Sequence, residues 1–323
     1  MIKVKGLKKR FNLEAGFFAQ YGKFVYAVND VSFTVNDGET YGLVGESGCG
    51  KSTTARLLVK MYKADDGEIF FTDNSTNETT DVISLKGSDL KKYREKVKYI
   101  FQDPVRSLNP RMTIYDILTS GYKYSARWPG KKIAKQEAEK ILEEVGLSAA
   151  DLERRPADFS GGQRQRISIA RSLLMQPEVL ICDEVVSALD VSIQGQILNL
   201  LQEIRQKRNL SMIFIAHDLK VSCYFCDRIG VMYKGFLMEE AEAKDLYKTA
   251  LHPYTKLLFK SVSGENSDTA EQQTIKGEVK TQTNETQSCP FAERCPHCTQ
   301  KCKEELPPMK QISDKHKVRC WIV

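Results

Sequence analysis

The sequence predicts an α/β protein with a mostly parallel sheet covered by helices on both faces. Three observations carry this prediction. An apolar run, Tyr41 to Val44, leads into the glycine-rich stretch Gly45-Glu46-Ser47-Gly48-Cys49-Gly50-Lys51-Ser52-Thr53, and a helix-like pattern follows. Gly45, Gly50, Lys51 and Ser52 fit the phosphate-binding pattern G-x-x-x-x-G-K-[ST] in its required strand–loop–helix context. Short apolar runs then alternate with helical periodicity along most of the chain, the mark of parallel strands joined by crossover helices.

Taken in order, Ile2 to Val35 reads as an antiparallel start, with alternation strongest at Val25-Tyr26-Ala27-Val28 and Val31-Ser32-Phe33. Asp37-Gly38 marks a turn. A helix is expected over Thr53–Tyr62, with Ala55, Leu58, Val59 and Met61 as its apolar positions. Ile69-Phe70-Phe71 reads as a strand, Thr72 to Thr80 as a polar loop, and Val97 to Phe101 as a buried strand. From Thr113 to Pro156 the pattern turns helical, with Ala134, Ala138, Ile141, Leu142 and Val145 at helical spacing, as an inserted lobe would. The alternation then resumes. Val179–Cys182 is a strand, Ser192–Arg205 a helix, Met212–Ala216 a strand and Leu219–Cys226 a short helix, before strands around Gly230–Tyr233 and Phe236–Met238. Gly264 to Ser288 is polar and poor in bulky residues, and reads as a linker.

The bulk numbers bound the function. A chain of 323 residues, 41% hydrophobic and 28% charged, has material for a full core and a length of about two domains. The net charge of +6 is modest, and the basic residues are scattered, so no nucleic-acid partner is expected. No apolar run approaches the ~18 residues of a membrane-spanning helix, and the basic start Met1 to Arg10 lacks the apolar core of a signal peptide. The expected location is therefore cytoplasmic, where the nine cysteines are not expected to form disulfides. The glycosylation-like sequences at Asn74, Asn77, Asn209 and Asn284 are then incidental.

A glycine-rich turn at the positive end of a helix lets successive backbone N–H groups converge on phosphate oxygens. Lys51 would reach the β- and γ-phosphates, and the Ser52 hydroxyl would ligate Mg²⁺. The strand Val179 to Cys182 ends in two carboxylates. Asp183 fits the position that meets Mg²⁺, and Glu184, one step further out, could act as general base on the attacking water. Phe159-Ser160-Gly161-Gly162-Gln163 opens a helix with Ser160 as N-cap. This turn is either an ordinary capped helix start or a second anion site, which only a symmetric pair of chains could bring to one nucleotide.

The ordered set Gly45–Ser52, Gln102, Ser160–Gln163, Asp183–Glu184, Ser187-Ala188-Leu189-Asp190 and His217 resembles the ATP-binding cassette family, over roughly Met1 to Val262. The resemblance implies a phosphate-loop NTPase fold of the RecA-like kind, with an antiparallel β subdomain and a helical subdomain at about 113–160. It implies that Gly45 to Thr53 with Ser160, Gly161, Gly162, Gln163 and Asp190 contact ATP across a dimer. It also implies that Gln102 links Mg²⁺ and the lytic water to the transporter interface, and that His217 contacts the γ-phosphate. For the adenine, Phe11 best matches the family's stacking aromatic, with Tyr26 as the alternative.

Phe101-Gln102-Asp103-Pro104, Arg106-Ser107-Leu108-Asn109-Pro110 and His252-Pro253-Tyr254-Thr255 resemble the oligopeptide/dipeptide importer ATPases, and the Phe11-to-Tyr26 insert resembles their F-type subunit. That likeness implies ATP hydrolysis driving peptide import from the cytoplasmic face of the membrane. The implied partners are a related D-type ATPase subunit, two permeases and an extracellular peptide-binding protein. Val185 departs from the proline common after the catalytic glutamate. A nickel chelate or another small solute is an alternative cargo, and a cassette ATPase acting on nucleic acid or ribosomes is the reading from another class.

Five of the nine cysteines lie between Cys289 and Cys320. Cys289, Cys295, Cys302 and Cys320 have the spacing C-x5-C-x6-C-x17-C, which is similar to the importer family's C-terminal extension and implies a [4Fe–4S] cluster. The extra Cys298 makes a zinc-like C-x2-C with Cys295, so Zn²⁺ and unligated thiols stay open as alternatives. Cys223 and Cys226 read as core. The expected division is a nucleotide-binding domain at 1–262, a linker at 263–288 and a cysteine-rich extension at 289–323.

Overall fold

The computed structural model describes residues 1–12, 24–263 and 286–323, the side chains at 105, 106, 262 and 263 excepted. Most of the expected insert after Phe11 and of the expected linker, with Asn284, lies outside the described residues. The chain divides into two compact units, Met1–Ser84 with Ile213–Val323, and Leu85–Met212.

The first unit opens with β1 (Ile2–Asn12) and β2 (Phe24–Val35), paired antiparallel from Ile2↔Val35 to Asn12↔Phe24. After β3 (Thr40–Val44) and α1 (Lys51–Leu58), β4 (Asp66–Thr72) and β5 (Thr79–Asp81) complete a sheet of order β2-β1-β4-β5. The antiparallel start is as expected, but part of the loop from Thr72 is strand. Helix α1 begins earlier and ends earlier than its apolar pattern suggested. Val59 caps it, and Lys60 turns left-handed at φ 56°, a conformation that no helix continues through.

The second unit carries α2 (Gly87–Lys96), β6 (Val97–Ile100), α3 (Pro104–Ser107), α4 (Ile114–Thr119), α5 (Lys131–Glu144), α6 (Gly161–Leu173), β7 (Val179–Asp183) and α7 (Val191–Arg208). Strands β6 and β7 pair in parallel, Val97↔Val179 to Ile100↔Cys182. Their register is reinforced by the Glu178 N–H donating to the Lys96 carbonyl and by a 2.8 Å Lys96–Glu178 ion pair. Helices α4 and α5 fall in the stretch that the sequence reads as helical. Helix α5 buries Ala134, Ala138, Ile141 and Leu142, and α4, capped by Thr113 accepting from the Asp116 N–H, packs on α5 and α6. Truncating the buried Leu142 to alanine would cost about 2–5 kcal/mol.

Strand β8 (Ser211–Ala216) spans the division between the units. The first unit then adds α8 (Leu219–Phe225), β9 (Arg228–Tyr233), β10 (Phe236–Glu242), α9 (Ala243–Thr249) and α10 (Pro253–Ser263). The tail supplies β11 (Lys310–Ser313) and β12 (His316–Val318). Within this unit the sheet runs β11-β12-β10-β9-β3-β8. Strand β3 is buried at all five positions and lies parallel to β9, which pairs antiparallel with β10. Two charged residues inside this sheet are paired, as burial demands. Glu240 accepts from the Tyr41 hydroxyl at 2.8 Å, from Arg228 and from Lys317, while Glu239 accepts from the Leu251 and His252 N–H groups and meets His316 Nε2 at 2.7 Å.

Candidate functional site

In the first unit the sequence Gly45 to Thr53 builds a loop between β3 and α1. Gly45 has φ 150° and Gly50 φ 107°. A Cβ on Gly45 would lie 2.2 Å from the Met232 carbonyl oxygen, and one on Gly50 2.2 Å from that of Ala27, so only glycine closes this turn. No side chain caps α1, whose N-cap is Gly50, so the first-turn N–H groups and the helix dipole face the loop. Lys51, only 4% exposed, folds back over the loop. Its Nζ donates to the carbonyls of Gly45 at 2.7 Å and Glu46 at 3.0 Å, beside Cys49 Sγ at 3.6 Å. Burial pushes the Cys49 thiol up, so it stays neutral beside this ammonium. The loop thus holds a cation on neutral carbonyls with a helix N-terminus beside it, an arrangement suited to polyphosphate.

Two residues that the sequence reading did not connect to the loop hold it from outside. The Glu46 N–H donates to the Tyr254 hydroxyl at 3.1 Å, and its carboxylate takes both terminal nitrogens of Arg294. Tyr254 belongs to the quoted His252-Pro253-Tyr254-Thr255 motif, so a signal for it existed. Burial pushes the neighbouring His252 imidazole down to about 3, and its Nδ1 accepts from the Tyr254 N–H. His217 is exposed directly after β8. Phe11 is half-buried, with Lys9 Nζ 5.3 Å from its ring centre and Tyr62 edge-on at 5.2 Å. Tyr26 instead borders a cavity of about 210 Å³ lined by Lys8, Lys9, Arg10, Asp65 and Asp66.

The second unit holds the carboxylates. Asp183 ends β7 at 1% exposure and accepts from the Tyr99 hydroxyl, a partner that the sequence did not indicate. Glu184 takes φ 50°, a strained turn for a side-chain-bearing residue. Gln102 Nε2 donates to Glu184 Oε2 at 2.6 Å, so the structure brings together two residues 82 positions apart that the sequence assigned to one reaction. The Ser187 hydroxyl donates to the Glu184 carbonyl, and the Gln194 amide donates to the carbonyls of Val186 and Leu189, fixing the turn that leads to Asp190. Asp190 is the N-cap of α7 but makes no side-chain capping bond. At the Ser160 turn both open readings meet a definite geometry. Ser160 Oγ accepts from the Gln163 N–H at 3.3 Å, and Gln163 Oε1 accepts from the Ser160 N–H at 2.9 Å, a reciprocal capping box that starts α6.

The tail gives no support to the metal expectation. Cys289, Cys302 and Cys320 are buried, Cys295 and Cys298 half-buried, and the Cys289 N–H donates to the Cys302 carbonyl at 2.9 Å. Burial pushes the Cys289 thiol up to about 12 and also raises Cys295 and Cys320, each with a further push from neighbouring cysteines. Among the described residues no group of three or more His, Cys, Asp or Glu side chains is arranged to hold a metal ion. This arrangement gives no support to the expected [4Fe–4S] cluster or to Zn²⁺ in its place. Of the other pair, Cys226 is core as read, while Cys223 is only half-buried.

Comparison with known proteins accounts for both the phosphate loop and the tail. A family model described as ABC transporter matches residues 28–187, and one described as the C-terminal region of oligopeptide/dipeptide transporters matches 238–302. The chain is 41% identical to the oligopeptide transport ATP-binding protein AppF of Bacillus subtilis (strain 168), over all of this chain and 97% of that protein. It is 46% identical to the oligopeptide transport ATP-binding protein OppF of the same organism, over 81% of this chain and 82% of that protein. Among solved structures it resembles the ATP-binding cassette MJ0796, a dimer in a post-hydrolysis state bound to ADP and Pi. That match has a TM-score of 0.64 and 26% identity, covering 75% of this chain and 99% of that one. Full-length likeness at this identity, with the loop, carboxylates and capped turn all in place, makes the chain a member of the ABC transporter family of ATP-binding subunits, in its oligopeptide/dipeptide branch.

Proposed function

We propose that this chain hydrolyses ATP to power the import of oligopeptides or dipeptides through a membrane transporter. The observation that carries the proposal is the phosphate loop, an uncapped helix start closed by glycine with Lys51 buried in it. The names of the relatives supply the cargo class. Gly45 to Thr53 bind the phosphates, Lys51 turning from its carbonyls to them. Ser160 to Gln163 and Asp190 contact ATP bound by a second subunit, and Phe11, or Tyr26 beside its cavity, stacks on adenine. The Ser52 hydroxyl, the Asp183 carboxylate and the Gln102 amide oxygen are oxygen donors of the kind Mg²⁺ takes, and the ion when bound neutralises phosphate charge.

Glu184 accepts a proton from water as the water oxygen bonds to the γ-phosphorus. The bond from that phosphorus to the bridging oxygen breaks, and its electron pair stays on ADP. Gln102 holds Glu184 until the water arrives, and His217 steadies the γ-phosphate. In this reading 1–262 is the nucleotide-binding domain, 263–288 a linker and 289–323 an extension. The partners are two permeases, a related D-type ATPase subunit and an extracellular binding protein, with this chain on the cytoplasmic face. No helix among the described residues is long and apolar enough to cross a membrane.

Glu184→Gln in the reconstituted transporter should leave ATP binding intact and cut hydrolysis about 10²–10⁴-fold, with peptide uptake lost alongside. Hydrolysis near the wild-type rate would remove Glu184 from the role of base. The cluster reading of the tail rests on cysteine spacing. Iron and sulfide analysis of anaerobically purified protein tests it, and protein free of iron, sulfide and zinc would leave the thiols unligated.

A further inference from the structure

We propose that Arg294, in the C-terminal tail, is a positioning residue for the phosphate loop, tying the tail to nucleotide affinity. Its guanidinium forks onto the Glu46 carboxylate, Nη1 to Oε2 at 2.8 Å and Nη2 to Oε1 at 3.1 Å. Paired parallel bonds of this kind fix direction as well as distance. The two side chains are only 17% and 22% exposed, so solvent screens the contact less than it would a surface pair. Nη1 also reaches the Tyr233 hydroxyl at 3.4 Å, and the guanidinium lies 5.6 Å from the Tyr233 ring centre.

The arginine is itself held. Its N–H donates to the carbonyl of Phe291, which is fully buried and packs against Tyr233 and Tyr254, each at 5.3 Å between ring centres. Tyr254 in turn accepts from the Glu46 N–H, so the tail and α10 grip the same loop residue at its side chain and its backbone. From there the link is one residue long, because the Glu46 carbonyl is one of the two that hold Lys51.

Two consequences follow for nucleotide. The fork sets where the Glu46 carbonyl points, and hence where Lys51 waits. It also compensates a carboxylate in the second position of a loop that must accept a polyphosphate, where a bare negative charge would repel the ligand. Neither role touches the reacting atoms, so the effect belongs in binding rather than in turnover.

This inference rests on the reading of the loop as the ATP site, and the test separates the two. Binding of a fluorescent ATP analogue to the full-length chain is measured with the transporter's ATPase kinetics. Arg294→Ala should weaken binding about ten-fold, equivalent to about 1.4 kcal/mol. It should raise KM for ATP with kcat changed less than about two-fold. Arg294→Lys should recover part of the loss by keeping the charge without the fork, and it serves if the alanine variant folds poorly. In a Glu46→Ala background, Arg294→Ala should add less than about two-fold, because its partner is gone. Binding by Arg294→Ala within two-fold of wild type would overturn the proposal, as would a fall in kcat at unchanged KM. Wild-type protein that fails to bind the analogue, or a Lys51→Ala variant that binds it fully, would instead overturn the reading of the loop.

Discussion

Two glycine-rich turns open helices in this chain, and they end differently. At α1 the N-cap is Gly50, which makes no side-chain capping bond. At α6, Ser160 and Gln163 close a capping box on their own backbone. The glycines differ too. A Cβ on Gly50, whose φ is left-handed, would lie 2.2 Å from the Ala27 carbonyl oxygen, whereas one on Gly162 would meet the Ile193 Cγ2 methyl at 2.7 Å. The first turn is open on its ligand side and rigid behind. The second is satisfied by itself and gives way more easily. Similar residue patterns therefore mark a site held ready and a helix start whose polar groups are already engaged.

The sharpest way to break this comparison is to add one methyl group to each turn. Gly50→Ala should cost about 3 kcal/mol or more, since neither the left-handed backbone nor the Ala27 carbonyl can yield cheaply, and nucleotide binding should fall with it. Gly162→Ala should cost less, about 1–2 kcal/mol, because the stiff β-branched Ile193 must shift while the helix preference for alanine offsets part of the strain. Equal unfolding midpoints for the two variants in urea would erase the distinction.

The supports behind the open turn carry a pH signature that the capped turn lacks. His252 is held neutral, its pKa down at about 3 through burial, against an ordinary value near 6.5. Between these values the unfolded chain binds a proton that the folded chain refuses, so stability is full above about pH 6.5 and lost as pH falls, by up to about 1.4 kcal/mol per unit. His252→Gln should flatten that slope in urea titrations between pH 4 and 6.5, at some cost at pH 7 from the altered bond to the Tyr254 N–H. An unchanged slope would mean that other groups set the acid limit. Ser160→Ala should cost about 1 kcal/mol by thermal melting, the value of one cap. A larger loss confined to ATP hydrolysis in the assembled transporter would show that the cap also serves nucleotide.

Much of this was legible in the residues, for identifiable reasons. Strands β3, β7 and β8 are buried at every position, and such runs announce themselves as unbroken apolar stretches. The Ser160 cap and the apolar stripe of α5 are local patterns that one helix satisfies alone. Helix α2 was not legible because it buries only Tyr93. Strands β11 and β12 were not, being four and three residues long and mostly unburied, with pairing decided by β10. The Gln102–Glu184 pair was placed by resemblance rather than by pattern. Arg294 and Glu46 lie 248 residues apart, and no periodicity connects them. The cysteine spacing matched a family pattern, yet spacing constrains distance along the chain and not the direction of thiols in space.

The short strand β12 has one more consequence. It pairs with β10 through Glu239↔Val318 and Glu240↔Lys317, and His316 supplies a partner to the buried Glu239. A gene product ending before the tail would uncover a row of backbone donors and acceptors along β10 and strand a carboxylate in the interior. Open strand borders recruit other chains. Strands β11 and β12 thus act as selvage on a woven cloth, keeping the sheet from fraying into its neighbours in a crowded cell.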